Sequence, residues 1–157
     1  MTVLRDVSEI VGGYDGLARR VLDYSLIMKS LVDRAKEPGF SAESWAPLAE
    51  LIAVDEFERV GNFKEVMDWD EYVGFLTRWA PTAEWECSFK RITEISNLVF
   101  LELEERSRMG DVSSTVNSVS VFEFDDAGKI RHIDIYLQMP IPAEFMPDSY
   151  AGVRLAE

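Results

Sequence analysis

Residues 121–138, VFEFDDAGKIRHIDIYLQ, read as two strands joined by a tight connection, Asp125-Asp126-Ala127-Gly128-Lys129. Gly128 supplies the left-handed backbone that such a turn requires. The second strand alternates, with Ile133, Ile135 and Leu137 on one face and His132, Asp134, Tyr136 and Gln138 on the other. A half-buried hairpin of this kind needs more sheet beside it and a layer to cover its apolar face.

The preceding residues provide both. Ser113–Phe124 is the first strand of the hairpin. Before it, Leu98–Arg108 alternates, with Val99, Leu101 and Leu103 on one side and Glu102, Glu104, Arg106 and Arg108 on the other. Glu84–Ile95 alternates around Trp85, Cys87 and Phe89, and Ser96-Asn97 and Gly110-Asp111 mark the turns between these strands. Upstream the period changes from two to that of a helix. Leu17, Val21, Tyr24, Met28, Leu31 and Ala35 form one apolar stripe, with Asp15 as the expected N-cap and Pro38-Gly39 as the stop. A short helix is expected over Ser44–Ala53 with Trp45, Leu48 and Ile52 inward, and a short strand over Asp55–Gly61. A third helix is expected from Asp68, where Asp68 and Glu71 have capping-box spacing. Residues 1–14 fit a short helix ended by Gly12-Gly13, and the proline-bearing tail after residue 138 is expected to be irregular. Helices first and an antiparallel meander after them mean an α+β fold.

With 157 residues the chain reads as one domain, with its core over about 15–138. The N-terminus has no apolar stretch of signal-peptide type, and no run of about 18 apolar residues is present. The lone Cys87 excludes an internal disulfide and fits a reducing cytoplasm. One thiol and one histidine do not make a zinc site, and no glycine-rich phosphate loop is present, so no cofactor is expected. A net charge of −13 argues against nucleic acid and anionic membrane surfaces as partners.

Leu31-Val32-Asp33 late in the first helix, the early strand at Asp55–Gly61, and FDDAGKI followed by a strand ending in YLQ resemble the nuclear transport factor 2-like superfamily. Ketosteroid isomerase, limonene epoxide hydrolase, scytalone dehydratase and the SnoaL-type polyketide cyclases belong to it. The resemblance spans roughly residues 15–138. It implies a curved antiparallel sheet wrapped into a cone, closed by about three helices around a central pocket. It also implies which positions face that pocket: Tyr24, Met28, Trp45, Glu58, Val60, Phe89, Leu101, Leu103, Glu105, Val116, Ser118, Ser120, Phe122, Ile133, Ile135 and Leu137. In the early strand the matching positions are Glu58 and Val60. The outer sheet face, with His132, Asp134 and Tyr136, is where the resemblance implies a homodimer.

Isomerases and hydrolases of this type need a carboxylate base in an apolar cavity and a donor for the developing oxyanion. No family constellation transfers whole. The isomerase's oxyanion acid falls on Ser120, its base on Val60 or, if the register slips, on Glu58. The hydrolase's last-strand aspartate falls on Ile135. Glu105 matches the hydrolase's other aspartate, with Leu103 where the neighbouring arginine would be. The catalytic candidates are therefore Glu58 and Glu105 as bases, with Tyr24 and Ser120 as polar partners. Each has a plainer alternative: a solvated strand-end or pocket-rim glutamate, a core tyrosine, a cavity-wall hydroxyl. His132 and Asp134 look like a dyad, but strand parity puts them outside the cavity. The expected function is binding of an apolar, oxygenated small molecule. Cofactor-free isomerisation, dehydration, cyclisation or epoxide opening would be the chemistry, and a non-catalytic binding or assembly module is the alternative.

Overall fold

The computed structural model describes residues 3–156. In chain order the elements are β1 (Arg5–Asp6), α1 (Val7–Ile10), α2 (Gly16–Arg34), α3 (Ala46–Ala49), β2 (Glu58–Val60), β3 (Val66–Met67), α4 (Trp69–Trp79), β4 (Glu84–Ile95), β5 (Leu98–Met109), β6 (Val112–Phe124) and β7 (Ile130–Gln138). The strands form one curled, unclosed seven-stranded sheet in the order β1-β4-β5-β6-β7-β2-β3. β4 to β7 are the antiparallel meander read from the sequence. β2 joins it in parallel with β7, and β1 and β3 are two-residue strands too short to carry a pattern.

The meander folds as its alternation dictates. On β5, Val99, Leu101 and Leu103 are buried under the helices. On β7, Ile133 is buried opposite Phe122. The connection between β6 and β7 closes on itself. Asp125 N–H donates to the Lys129 carbonyl at 2.8 Å, and the Asp125 carboxylate accepts from the N–H groups of Ala127 and Lys129. Gly128 sits at φ 75°, the left-handed conformation the turn needs. The period-two pattern of β4 breaks after Phe89. A bulge falls between Phe89 and Arg91, so Phe89 opposes Leu103 and Arg91 opposes Glu102.

The apolar stripe of α2 packs onto the sheet, with Val21, Tyr24, Met28, Leu31 and Ala35 buried. Its N-terminus differs from expectation. Asp15 occupies the N-cap but its side chain makes no capping bond. The Ala18 N–H instead donates to Glu94 Oε1 at 2.8 Å, so a carboxylate from β4 serves an orphan donor of the first turn. Gly16, at φ 61°, lets the chain turn into the helix beside that carboxylate. At α4 the capping box forms as read. Asp68 Oδ1 accepts from Glu71 N–H and Glu71 Oε2 from Asp68 N–H, both at 2.9 Å.

The helix expected over Ser44–Ala53 is much shorter. A 3-10 turn over Ala42–Trp45 leads into the four-residue α3. Backbone pairing with β7 outcompetes the helix beyond that point. Ile130 N–H donates to the Leu51 carbonyl and Ala53 N–H to the Ile130 carbonyl, both at 2.9 Å, drawing residues 51–53 into an extended bridge. Among the described residues, the tail after β7 has two 3-10 turns, Ala143–Phe145 and Asp148–Tyr150.

Two outcomes follow. Glu94→Ala leaves the Ala18 N–H without its partner and should cost about 1 kcal/mol in denaturant unfolding. Asp15→Ala should cost less, because Asp15 makes no capping bond. Cys87 is buried, and burial, with Glu105 nearby, pushes its thiol from 9.0 up to about 12. The folded-state value is the higher one, so this contribution to stability is complete below pH 9 and is lost as pH rises towards 12. Native protein should accordingly resist a thiol-labelling reagent at pH 8, and unfolded protein should label fully.

Candidate functional site

Between α2, α4 and the concave side of the sheet lies a cavity of about 350 Å³. The size is that of a small-molecule site. Two helices and five strands supply its wall. α2 contributes Tyr24, Ser25 and Met28; α4 contributes Tyr72, Phe75, Leu76 and Trp79. Trp85 comes from β4, and Leu101, Leu103, Glu105 and Ser107 from β5. β6 adds Ser114, Val116, Ser120 and Phe122, and β7 adds Ile133, Ile135 and Leu137. Arg59 of β2 and Met139, just past β7, complete the lining.

The wall is mainly apolar, and its polar groups fall into two sets. The first is Glu105 with Trp85. The indole N–H donates to Glu105 Oε1 at 2.9 Å and orients the carboxylate. The second set is Tyr24, Tyr72 and Arg59. The two tyrosine hydroxyls share a hydrogen bond of 3.1 Å. Burial, helped by its neighbour Tyr72, raises the Tyr24 phenol well above its ordinary value, so Tyr24 is protonated at neutral pH. In such a pair one hydroxyl proton is used internally and the other is free for a further acceptor. The Arg59 guanidinium carbon lies 5.0 Å from the centre of the Tyr72 ring, a cation–π geometry. Tyr72 is itself held by stacking on Phe57 and an edge contact with Trp69.

Of the candidates from the sequence, Tyr24, Met28, Leu101, Leu103, Glu105, Val116, Ser120, Phe122, Ile133, Ile135 and Leu137 line this cavity. Five do not. Trp45 is buried elsewhere: its ring N–H donates to Thr77 Oγ1 at 3.1 Å and its ring edge meets Phe40. Phe89 packs on Tyr14, beyond the cavity. Ser118 faces inward between Leu103 and Leu137, but it is buried among them and its Oγ has no hydrogen-bond partner among the described residues.

Glu58 and Val60 are corrected by the register of β2. Glu58 pairs with His132, Arg59 with Ile133 and Val60 with Asp134. Paired residues share a face, so Arg59 points with Ile133 towards the cavity, while Glu58 and Val60 share the outer side with His132 and Asp134. Glu58 is half exposed, and its Oε1 lies 3.4 Å from His132 Nδ1. His132 Nε2 meets Asp134 Oδ1 at 2.9 Å. The only histidine therefore bridges two carboxylates on the outer face, which excludes it and Glu58 from chemistry in the cavity.

The sequence analysis missed Arg59, Tyr72 as a cavity residue, and the Trp85 N–H. One signal was present for Arg59. In DEFERVG the large aromatic is Phe57, and Phe57 is buried. Phasing the strand on Phe57 rather than on Val60 brings Arg59 inward.

No protein-family model matches the chain, and no curated protein matches it significantly. Solved structures do. An NTF2-like protein of unknown function from Cytophaga hutchinsonii superposes with a TM-score of 0.52 at 12% identity, covering 80% of this chain and 92% of that one. An LEH-like epoxide hydrolase from M. tuberculosis gives 0.53 at 19% identity, covering 69% and 84%. A protein described as a SnoaL-like polyketide cyclase from Jannaschia sp. CCS1 gives 0.54 at 12% identity, covering 80% and 90%. At these identities the likeness is one of architecture, and the architecture is that of the nuclear transport factor 2-like fold.

Proposed function

We propose that the protein binds an apolar, oxygenated small molecule in the cavity between α2, α4 and the sheet, and that it moves a proton on that molecule without a cofactor. The observation that carries this reading is Glu105: a carboxylate in a mainly apolar wall, oriented by the Trp85 N–H, in the same cavity as a buried tyrosine pair. Glu105 is the base. One carboxylate oxygen is held by Trp85 and the other takes the proton from carbon. As that C–H bond breaks, charge moves onto an oxygen of the ligand. The free hydroxyl proton of the Tyr24–Tyr72 pair donates to that oxygen. Ser120 is a wall hydroxyl that helps orient the ligand. Isomerisation, dehydration and cyclisation all begin with such a step. The similar structures named for epoxide hydrolysis and polyketide cyclisation support the reading at the level of fold.

The probe is 5-nitrobenzisoxazole, an apolar bicycle whose ring opens when a base removes its C–H proton and the N–O bond breaks to a phenolate. The wild-type protein should open it faster than acetate in free solution. Glu105→Gln should lower the rate at least about tenfold, and Glu58→Gln should leave it unchanged. Equal rates for wild type and Glu105→Gln, in protein that still melts cooperatively, reduce the cavity to a binding site.

The outer sheet face supports a second copy of the chain as partner. Tyr136 is 59% exposed there, beside the His132–Asp134 pair, and an exposed aromatic next to a polar pair suits an interface centre. Light scattering should give a dimer mass for the wild-type protein and a monomer mass for Tyr136→Arg. A wild-type monomer at high micromolar concentration rules the interface out.

A further inference from the structure

We propose that Arg59 anchors an acidic group of the ligand, so that the cavity takes an apolar molecule carrying a single carboxylate. The inference rests on the reading of the cavity as a small-molecule site, and it names the substrate class.

A guanidinium stays charged at any pH the fold survives. Burying it is costly unless anions or hydrogen-bond acceptors replace water. Arg59 has a side chain only 14% exposed, and its Nε and Nη1 are buried with no hydrogen-bond partner among the described residues. Two groups compensate in part. Glu65 Oε1 is 3.6 Å from Nη1, an ion pair too long to be a hydrogen bond. The Tyr72 ring lies below the guanidinium. Neither accepts a hydrogen bond from Nε. The cavity's own carboxylate does not serve either, because Glu105 forms no ion pair with Arg59. The protein thus keeps a guanidinium in the wall of an apolar cavity with its charge offset only by a long ion pair and an aromatic face, and a ligand meets the accessible part of the group, since Nε and Nη1 are closed off. A carboxylate is the partner a guanidinium favours most, through charge-assisted hydrogen bonds.

The same surroundings limit the anion to one charge. Glu105 shares the cavity, and the chain carries a net charge of −13, so a phosphate or dicarboxylate meets repulsion that one carboxylate can offset against Arg59. The expected ligand is an aromatic or alicyclic acid: its rings against Leu101, Phe122 and Ile135, its carboxylate on Arg59, and its reacting carbon towards Glu105.

The test compares 2-naphthoate with 2-naphthamide, two molecules of nearly equal shape that differ in charge, by titration calorimetry at pH 7. Naphthoate should bind the wild-type protein at least about tenfold more tightly. Arg59→Gln should abolish that preference. Arg59→Lys should retain part of it. Glu105→Gln should keep the preference or increase it, since it removes a like charge, so loss of the proton chemistry and loss of the anion anchor read out separately. Equal or weaker binding of naphthoate by the wild-type protein overturns the anchor and leaves the cavity reading intact. Failure of both probes to bind overturns both. If Arg59→Gln does not fold, the wild-type preference and the Arg59→Lys titration decide.

Discussion

The parallel pairing of β2 alongside β7, with Arg59 opposite Ile133, decides what the cavity contains. Side chains alternate along a strand, so a shift of one residue would exchange the two faces of β2. Arg59 would leave the cavity wall and Glu58 would enter it. The register is held from both sides. The bridge of Ile52 with Ile130 fixes the chain as it approaches β2, and the Asp125–Lys129 turn fixes where β7 begins. Phe57, buried against Tyr72 and Trp69, adds the side-chain preference: a slip would put an aromatic ring in solvent, at a cost of about 2 kcal/mol or more.

Given that register, the cavity has two polar sites of opposite sign set in apolar walls. Each is supported by an aromatic residue whose bulk is buried. Trp85 turns its N–H to Glu105, and Tyr72 turns its face to Arg59 and its hydroxyl to Tyr24. Tryptophan and tyrosine suit this use because they bury a large apolar area and still offer a polar handle. The two charges do not neutralise one another directly. A direct Arg59–Glu105 pair would satisfy both groups and leave neither for a ligand. Kept apart, both stay available to a ligand under the proposed reading.

Much of this was legible because strands buried on one face must alternate. Val99, Leu101 and Leu103, then Phe122, then Ile133 and Ile135 follow from period two alone, and so does the outward placement of His132 and Asp134. That this face, Glu105 included, turns towards a pocket came from the resemblance to the nuclear transport factor 2-like superfamily. What was not legible depends on contacts between elements distant in sequence. DEFERVG is too short for its alternation to be unambiguous, so the side chain of greatest consequence, Arg59, was assigned to the wrong face. The capping of α2 by Glu94 and the indole bond to Glu105 span 76 and 20 residues, and no local pattern encodes either. The expected helix to Ala53 failed for a related reason: Ile130, far along the chain, bonds to the backbone on both sides of Ile52.

The segment after β2 links the charge in the wall to the part of the wall at the end of β7. Gly61 is buried, and a Cβ there would collide with the Glu65 carboxylate; the bare Cα lets that carboxylate fold back towards Arg59. The same carboxylate accepts the Phe63 N–H at 2.9 Å, which stabilises the loop in that shape. The next residue, Asn62, accepts the Leu137 N–H at 3.1 Å and reaches the sulfur of Met139 at 3.6 Å, and both Leu137 and Met139 line the cavity. A five-residue stretch, Gly61 to Glu65, therefore holds the counter-charge of Arg59 through Glu65 and the end of β7 through Asn62. Displacing this loop would move the Glu65 carboxylate and the Met139 wall together. The charge that Arg59 presents and the width of the cavity beside it are thus set by one backbone conformation, not by two independent sites.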